Sequence, residues 1–125
     1  MKACLVDTDV LIEVLRQRDS GILGQWSELG AADTLVAYSP VTAAEVWQGA
    51  REPETRTIEA LFESLTCIPV DTAIGRKAGE YLRRFRSSHG IELGDALIAA
   101  TATVQKVPLW TRNRKHYPMP EIRLL

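Results

Sequence analysis

At 125 residues with a formal net charge of −1, the chain suits a single domain, long enough to bury a core without disulfide or metal staples. Charged residues make up 25% and hydrophobic residues 46%, a balance that argues against disordered and fibrous classes. No apolar run approaches the ~20 residues that span a bilayer, and Asp7 and Asp9 break the first apolar stretch where a secretory signal needs continuity, so a cytoplasmic protein is expected.

Residues 3–6 (ACLV) are too few for a helix and read as a buried strand. From Thr8 the period changes. Val10, Leu11, Val14 and Leu15 recur at helical spacing, which predicts a helix to about Arg18. Asp19-Ser20 predicts the cap of a second helix carrying Ile22, Leu23, Trp26 and Leu29 and ending near Gly30. TLVAYS, residues 34–39, reads as a second strand that Pro40 ends, and Thr42 as the opening of a third helix over 42–50. Pro53 suits the first turn of a fourth helix running through Leu65. TCIPV, residues 66–70, is a third strand. Asp71 or Thr72 then caps a long helix that stops at His89-Gly90, with Arg76, Lys77, Arg83, Arg84 and Arg86 on its polar face. The small side chains of LGDALIAATATVQ, residues 93–105, predict a well-buried helix. VPLW, residues 107–110, is a fourth strand, and EIRLL can add a last one. Strands alternating with helices imply a mainly parallel sheet covered on both faces. In such sheets ligands collect beyond the carboxyl ends of the strands, which is where Asp7 and Asp9 fall.

Cys4 and Cys67 both lie in apolar strand segments without a Cys or His partner at metal spacing, and read as buried free thiols. Charge is unevenly spread. Residues 1–71 hold 12 acids and 5 bases, and residues 72–125 hold 4 acids and 10 bases, so the halves carry −7 and +6. That polarity fits an anionic partner on one face; scattered surface charge fits it equally.

Acidic residues recur where helices begin: the Asp7/Asp9 pair, Glu45 and Asp95. Each has a capping explanation. Asp9 faces the positive end of its helix dipole, Thr42-Ala43-Ala44-Glu45 matches a capping box, and Asp95 sits in a first turn beside Glu92. Together they ask for more. Asp7 follows a buried strand, Asp95 precedes the tightly packing ALIAATA, and a buried ionised carboxylate needs a partner or a metal. Other acids (Glu13, Glu28, Glu59, Glu63) fall on faces expected to be exposed. If the helix-start acids converge, oxygen ligands without Cys or His select Mg²⁺ or Mn²⁺. Such an ion at a phosphodiester activates water and stabilises the leaving oxygen. Neutralising four acids leaves 12 against 15 bases, a net of +3 that tolerates a polyanion. In LWTRNRKHY, residues 109–117, Thr111 and Asn113 can orient water at the metal while Arg112, Arg114 and Lys115 contact phosphates; the plain reading is a polar turn with surface charge. His116 suits a structural or phosphate contact rather than catalysis, and His89 a helix C-terminal cap.

VDTDVLIEVLR, the Glu45 helix, GIELGDALIAATA and PLWTRNRKHY resemble, in order, the signature blocks of PIN-domain ribonucleases, and most closely the VapC-type toxins of toxin–antitoxin pairs. The resemblance covers essentially the whole chain. It implies one PIN-like domain over residues 1–125, a three-layer α/β/α sandwich with a mainly parallel central sheet. It further implies Mg²⁺- or Mn²⁺-dependent endoribonuclease activity on an RNA substrate, a homodimer, and inhibition by a cognate antitoxin. Residue by residue, Asp7, Glu45 and Asp95 match the metal-binding acids, Asn113 the fourth position, and Thr111 the hydroxyl two residues before it. Thr8 and Asp9 fall beside the ligands as supporting positions. Asn113 departs from the Asp common in the family, and a neutral side chain there favours one-metal chemistry. Trp47 or Trp26 can serve the antitoxin contact, core packing being the alternative.

Two enzyme-like alternatives share the acid pair. A phosphoryl-accepting receiver needs a lone Asp ending a central strand and a Lys after a later one, and only Asp71 and Lys106 approximate these. A haloacid-dehalogenase-like phosphatase needs DxDx(T/V), and Leu11 stands where Thr or Val belongs. A non-catalytic dimerising module remains if the caps are only caps.

Overall fold

A computed structural model describes residues 2–125. In chain order the elements are β1 (Lys2–Val6), α1 (Thr8–Arg16), α2 (Ser20–Ala31), β2 (Thr34–Tyr38), α3 (Pro40–Gln48), α4 (Thr55–Glu63), β3 (Thr66–Cys67), α5 (Thr72–His89), α6 (Leu93–Gln105) and β4 (Leu109–Trp110), with short 3₁₀ turns at Glu52–Glu54 and Arg114–His116. The strands pair in the order β3-β2-β1-β4, and every pairing is parallel.

The period of two along each strand distributes side chains to two cores. Leu5, Ala37 and Leu109 point to one face and pack with Ile74 and Tyr81 of α5 and Ile98 of α6. Their neighbours Cys4, Val6 and Trp110 point to the other, against Val10 and Leu11 of α1 and Ile22 and Trp26 of α2. The expected layering of helices on both sides of a parallel sheet is what forms. The α5–α6 face is the larger, because small residues (Ala96, Ala99, Ala100 and Ala102, all essentially buried) let α6 lie close to the strands.

Several boundaries differ from the sequence expectation, each for a local reason. α1 stops at Arg16 because Gln17 turns left-handed at φ 55°. α3 begins at Pro40 rather than Thr42: Ser39 caps it by accepting from Val41 N at 3.1 Å, and the ring of Pro40 suits the first helical position. The capping box expected between Thr42 and Glu45 therefore does not form, and Glu45 is released for another partner. The fourth helix is split, with Pro53 in a 3₁₀ turn and α4 ending at Glu63. β3 is only two residues long: Ile68 N still donates to Tyr38 O at 2.9 Å, but Pro69 has no N–H to continue. β4 is similarly short, and the EIRLL segment adds a single bridge, Leu109 to Leu124. Cys4 is buried as expected, whereas Cys67, on the edge strand, is exposed. Glu13, expected on a solvent face, is only 4% exposed.

Candidate active site

The sheet order places β1 between β2 and β4, the point at which the winding of the chain reverses and beyond whose strand ends such sheets take their ligands. Val6 pairs with Trp110 at the carboxyl ends of β1 and β4, so Asp7 and Thr111 leave the sheet side by side. Asp7 N donates to Trp110 O at 2.9 Å, which locks that register.

Asp7 caps α1 and is 7% exposed. Its Oδ1 accepts from Thr8 N at 2.8 Å, and its Oδ2 accepts from the Thr111 hydroxyl at 2.8 Å and the Tyr117 hydroxyl at 3.0 Å. The Thr8 hydroxyl donates to Glu45 Oε1 at 2.7 Å and shares a 3.0 Å hydrogen bond with the buried Thr42 hydroxyl. Gly94, in the first turn of α6, stands next to Glu45: a Cβ there would lie 3.7 Å from Glu45 Oε2. Asp95 follows, accepting from Glu92 N at 3.2 Å in a capping box and lying 3.3 Å from His116 Nδ1. Asn113 Nδ2 is 2.9 Å from the same His116 nitrogen, and Asn113 N donates to Thr111 Oγ1 at 2.9 Å. Nδ1 accepts from Asn113 or, carrying the proton, donates to Asp95, but not both. One continuous set of contacts thus joins Glu45, Thr8, Asp7, Thr111, Asn113, His116 and Asp95.

The electrostatics of this cluster are unbalanced. Burial pushes the Asp7 carboxyl above the usual carboxylate range and the charge of Asp95 adds to the rise, against the lowering by its three donors. Asp9, in the first turn of α1, is raised to about 6 by burial and by Asp7, with only a long 3.5 Å contact from Arg112 N to Oδ1. Tyr117 is pushed far up by burial first and then by the charges of Asp7 and Asp95, so it stays a hydroxyl donor. Among the described residues neither Asp7 nor Glu45 has a cationic side chain in salt-bridge range, and Asp95 has only His116. Oxygen donors with uncompensated charge fit a hard divalent cation. Among the described residues no three acid, histidine or cysteine side chains stand together as a group that could hold a metal ion: Glu45 is turned to Thr8, and Asp95 to Glu92 N and His116.

The basic residues separate. Arg112 Nη1 donates to Glu13 Oε1 at 2.9 Å, and its Nη2 lies 3.6 Å from Asp19 Oδ2. Arg114 reaches Leu125 O at 2.9 Å, and Lys115 is exposed. Sequence reasoning missed two residues. Tyr117 is an aromatic with a polar tip closing the LWTRNRKHY block, and Glu13 stands one helical turn after Asp9; neither signal is strong without the fold. Trp26 is partly buried in the α1–α2 core beside Trp110, whereas Trp47 is 38% exposed.

The receiver alternative fails on position. Asp71 caps α5 by accepting from Ile74 N at 2.9 Å, and Lys106 ends α6 at the amino end of β4, away from the carboxylates. A cleft of about 750 Å³ near Lys106, lined also by Lys2, Glu28 and Arg123, is likewise at that opposite pole. Among the described residues no helix is long and apolar enough to cross a membrane.

The PIN-domain family model matches residues 4–121. Ribonuclease VapC10 of Mycobacterium tuberculosis is 43% identical over 120 residues, covering 94% of this chain and 87% of that protein. Ribonuclease VapC19 of the same organism is 37% identical over 116 residues, covering 92% of each. Among solved structures, a toxin–antitoxin complex from Klebsiella pneumoniae contains a chain with a TM-score of 0.71 and 30% identity, covering 95% of this chain and 94% of that one. A parallel sheet with helices on both faces, together with matches of this length, places the chain in the PIN-domain family, among the VapC ribonucleases.

Proposed function

We propose that this protein is a metal-dependent endoribonuclease, the toxic component of a toxin–antitoxin pair, which hydrolyses RNA phosphodiester bonds. The observation that carries the reading is the buried, cation-less carboxylate of Asp7 at the strand ends, with Glu45 and Asp95 linked to it through hydrogen bonds. Asp7, Glu45 and Asp95 would hold Mg²⁺ or Mn²⁺, whose oxygen preference the donor set matches. When bound, the ion supplies Lewis-acid polarisation of the phosphodiester and eases deprotonation of water. The chain's own residues do the rest. Thr111 and Tyr117 fix the orientation of Asp7; Thr8 holds Glu45; Asn113, tied to Thr111 and His116, presents an uncharged amide to the crevice; and Asp9 adds negative charge beside Asp7. Arg114 and Lys115, exposed on the adjoining loop, suit phosphate contacts. The likeness to a chain of a toxin–antitoxin complex supports a cognate antitoxin as the physiological partner, and a homodimer is proposed as the working unit.

The test is cleavage of an RNA pool by purified protein in EDTA, Mg²⁺ or Mn²⁺, beside Asp7→Asn and Asp95→Asn. Internal cleavage that needs the metal and is lost in both folded variants is expected. Metal-independent cleavage, or full activity of folded Asp7→Asn, would refute the scheme. Asn keeps the N-cap of α1, so loss of activity there is not loss of the helix.

A further inference from the structure

We propose that Arg112 is a positioning residue: by gripping Glu13 and Asp19 it latches the Thr111–Asn113 loop against α1 and holds Thr111 and Asn113 at Asp7. The inference deepens the ribonuclease reading and rests on it.

Arg112 lies between the two loop residues that connect to the catalytic carboxylates. Thr111 donates to Asp7 at 2.8 Å, and Asn113 N donates to Thr111 at 2.9 Å. The loop has no strand pairing to hold it, since β4 ends at Trp110. Besides the Thr111–Asp7 and Asn113–His116 contacts, what fastens it to the acids of α1 and the α2 cap is Arg112. Its guanidinium donates to Glu13 Oε1 at 2.9 Å and stands 3.6 Å from Asp19 Oδ2, and its backbone N faces Asp9 Oδ1 at 3.5 Å. Asp9 and Glu13 are one helical turn apart and share a face of α1, so backbone and side chain of one residue are held by one rigid element.

Glu13 is an unusual anchor. It is only 4% exposed, and Arg18 and Arg112 close over it, holding its carboxyl below the usual range. The planar fork of Arg112 spans acids of α1 and of the α2 cap at once, which an ammonium could not. The surroundings also argue against a phosphate ligand here. Asp9, Glu13 and Asp19 outnumber Arg18 and Arg112, so a polyanion approaching the guanidinium meets net negative charge.

The test uses Glu13→Gln, Arg112→Gln, Arg112→Lys and the double variant Glu13→Gln/Arg112→Gln. Two readouts are taken: kcat and KM for an RNA oligonucleotide at several salt concentrations, and hydrogen exchange of the Asn113 amide without substrate. The latch predicts a kcat loss of about tenfold or more with KM within about twofold, since an ångström of misplacement costs up to ~10²-fold. The double variant should be no worse than the more impaired single one, Arg112→Lys should recover only part of the rate, and the Asn113 amide should exchange faster in each. A raised KM with a shallower salt dependence and intact kcat in Arg112→Gln, with Glu13→Gln silent, would overturn the latch in favour of a phosphate contact. Should the wild type cleave no RNA, the ribonuclease reading fails by itself, and unchanged exchange of Asn113 in Glu13→Gln would then separately overturn the latch.

Discussion

Replacing Tyr117 with Phe takes one donor from Asp7 while leaving the ring in place. Asp7 is 7% and Tyr117 3% exposed, so solvent has little access to replace the lost hydroxyl. A hydrogen bond to a charged group contributes about 1.5–3 kcal/mol. Thr8 N and Thr111 still serve the carboxylate, which favours the lower end, roughly 1.5 kcal/mol. For a chain of this size that is a fall in melting temperature of about 5 °C. The measurement is a pair of urea melts followed by circular dichroism at pH 7.5 in EDTA, with the slope compared to confirm that only stability changed. The variant's deficit depends on an ionised Asp7, whose pKa burial raises. It should shrink as pH falls and the proton binds, at a higher pH than for an exposed aspartate. A Phe variant as stable as wild type at pH 7.5, or a deficit that grows in acid, would show that the hydroxyl is not serving a carboxylate.

Other consequences are independent of catalysis. Burial raises the Cys4 thiol to about 11 while Cys67 is exposed, so a thiol reagent at pH 8 should label one cysteine, Cys67, in the native protein and both after denaturation; two native labels would contradict the packing of β1. Leu5→Ala, at a fully buried site under α5 and α6, should cost about 2–5 kcal/mol in a denaturant melt, and a loss under about 1 kcal/mol would mean that the layer is loosely packed. Gly90 ends α5 at φ +64°, so Gly90→Ala should destabilise by about 1 kcal/mol despite open space around it, measured in the same melt.

The sequence alone determined the order and type of the main elements, because those depend on short-range causes. The switch from the ACLV run to helical spacing, the Asp19 and Asp71 caps, Gly90 and the small-residue stretch of α6 are all legible within a few residues. The acids were legible too, since Asp7, Glu45 and Asp95 stand at or near helix starts where a carboxylate invites explanation. Local rules misjudged Pro40, which begins a helix as readily as it ends a strand, and so offered Glu45, beside its reading as a metal ligand, a capping box that does not form. Only the tertiary structure decided who meets whom. Thr111 and Tyr117 reach Asp7 across 104 and 110 positions because β4 pairs with β1 in one particular register. Glu13 is buried because a loop 99 residues later folds over it. A strand's side-chain period says which residues face a layer, whereas register and crossover choose the neighbours, and those are settled by how the two cores pack around the whole sheet.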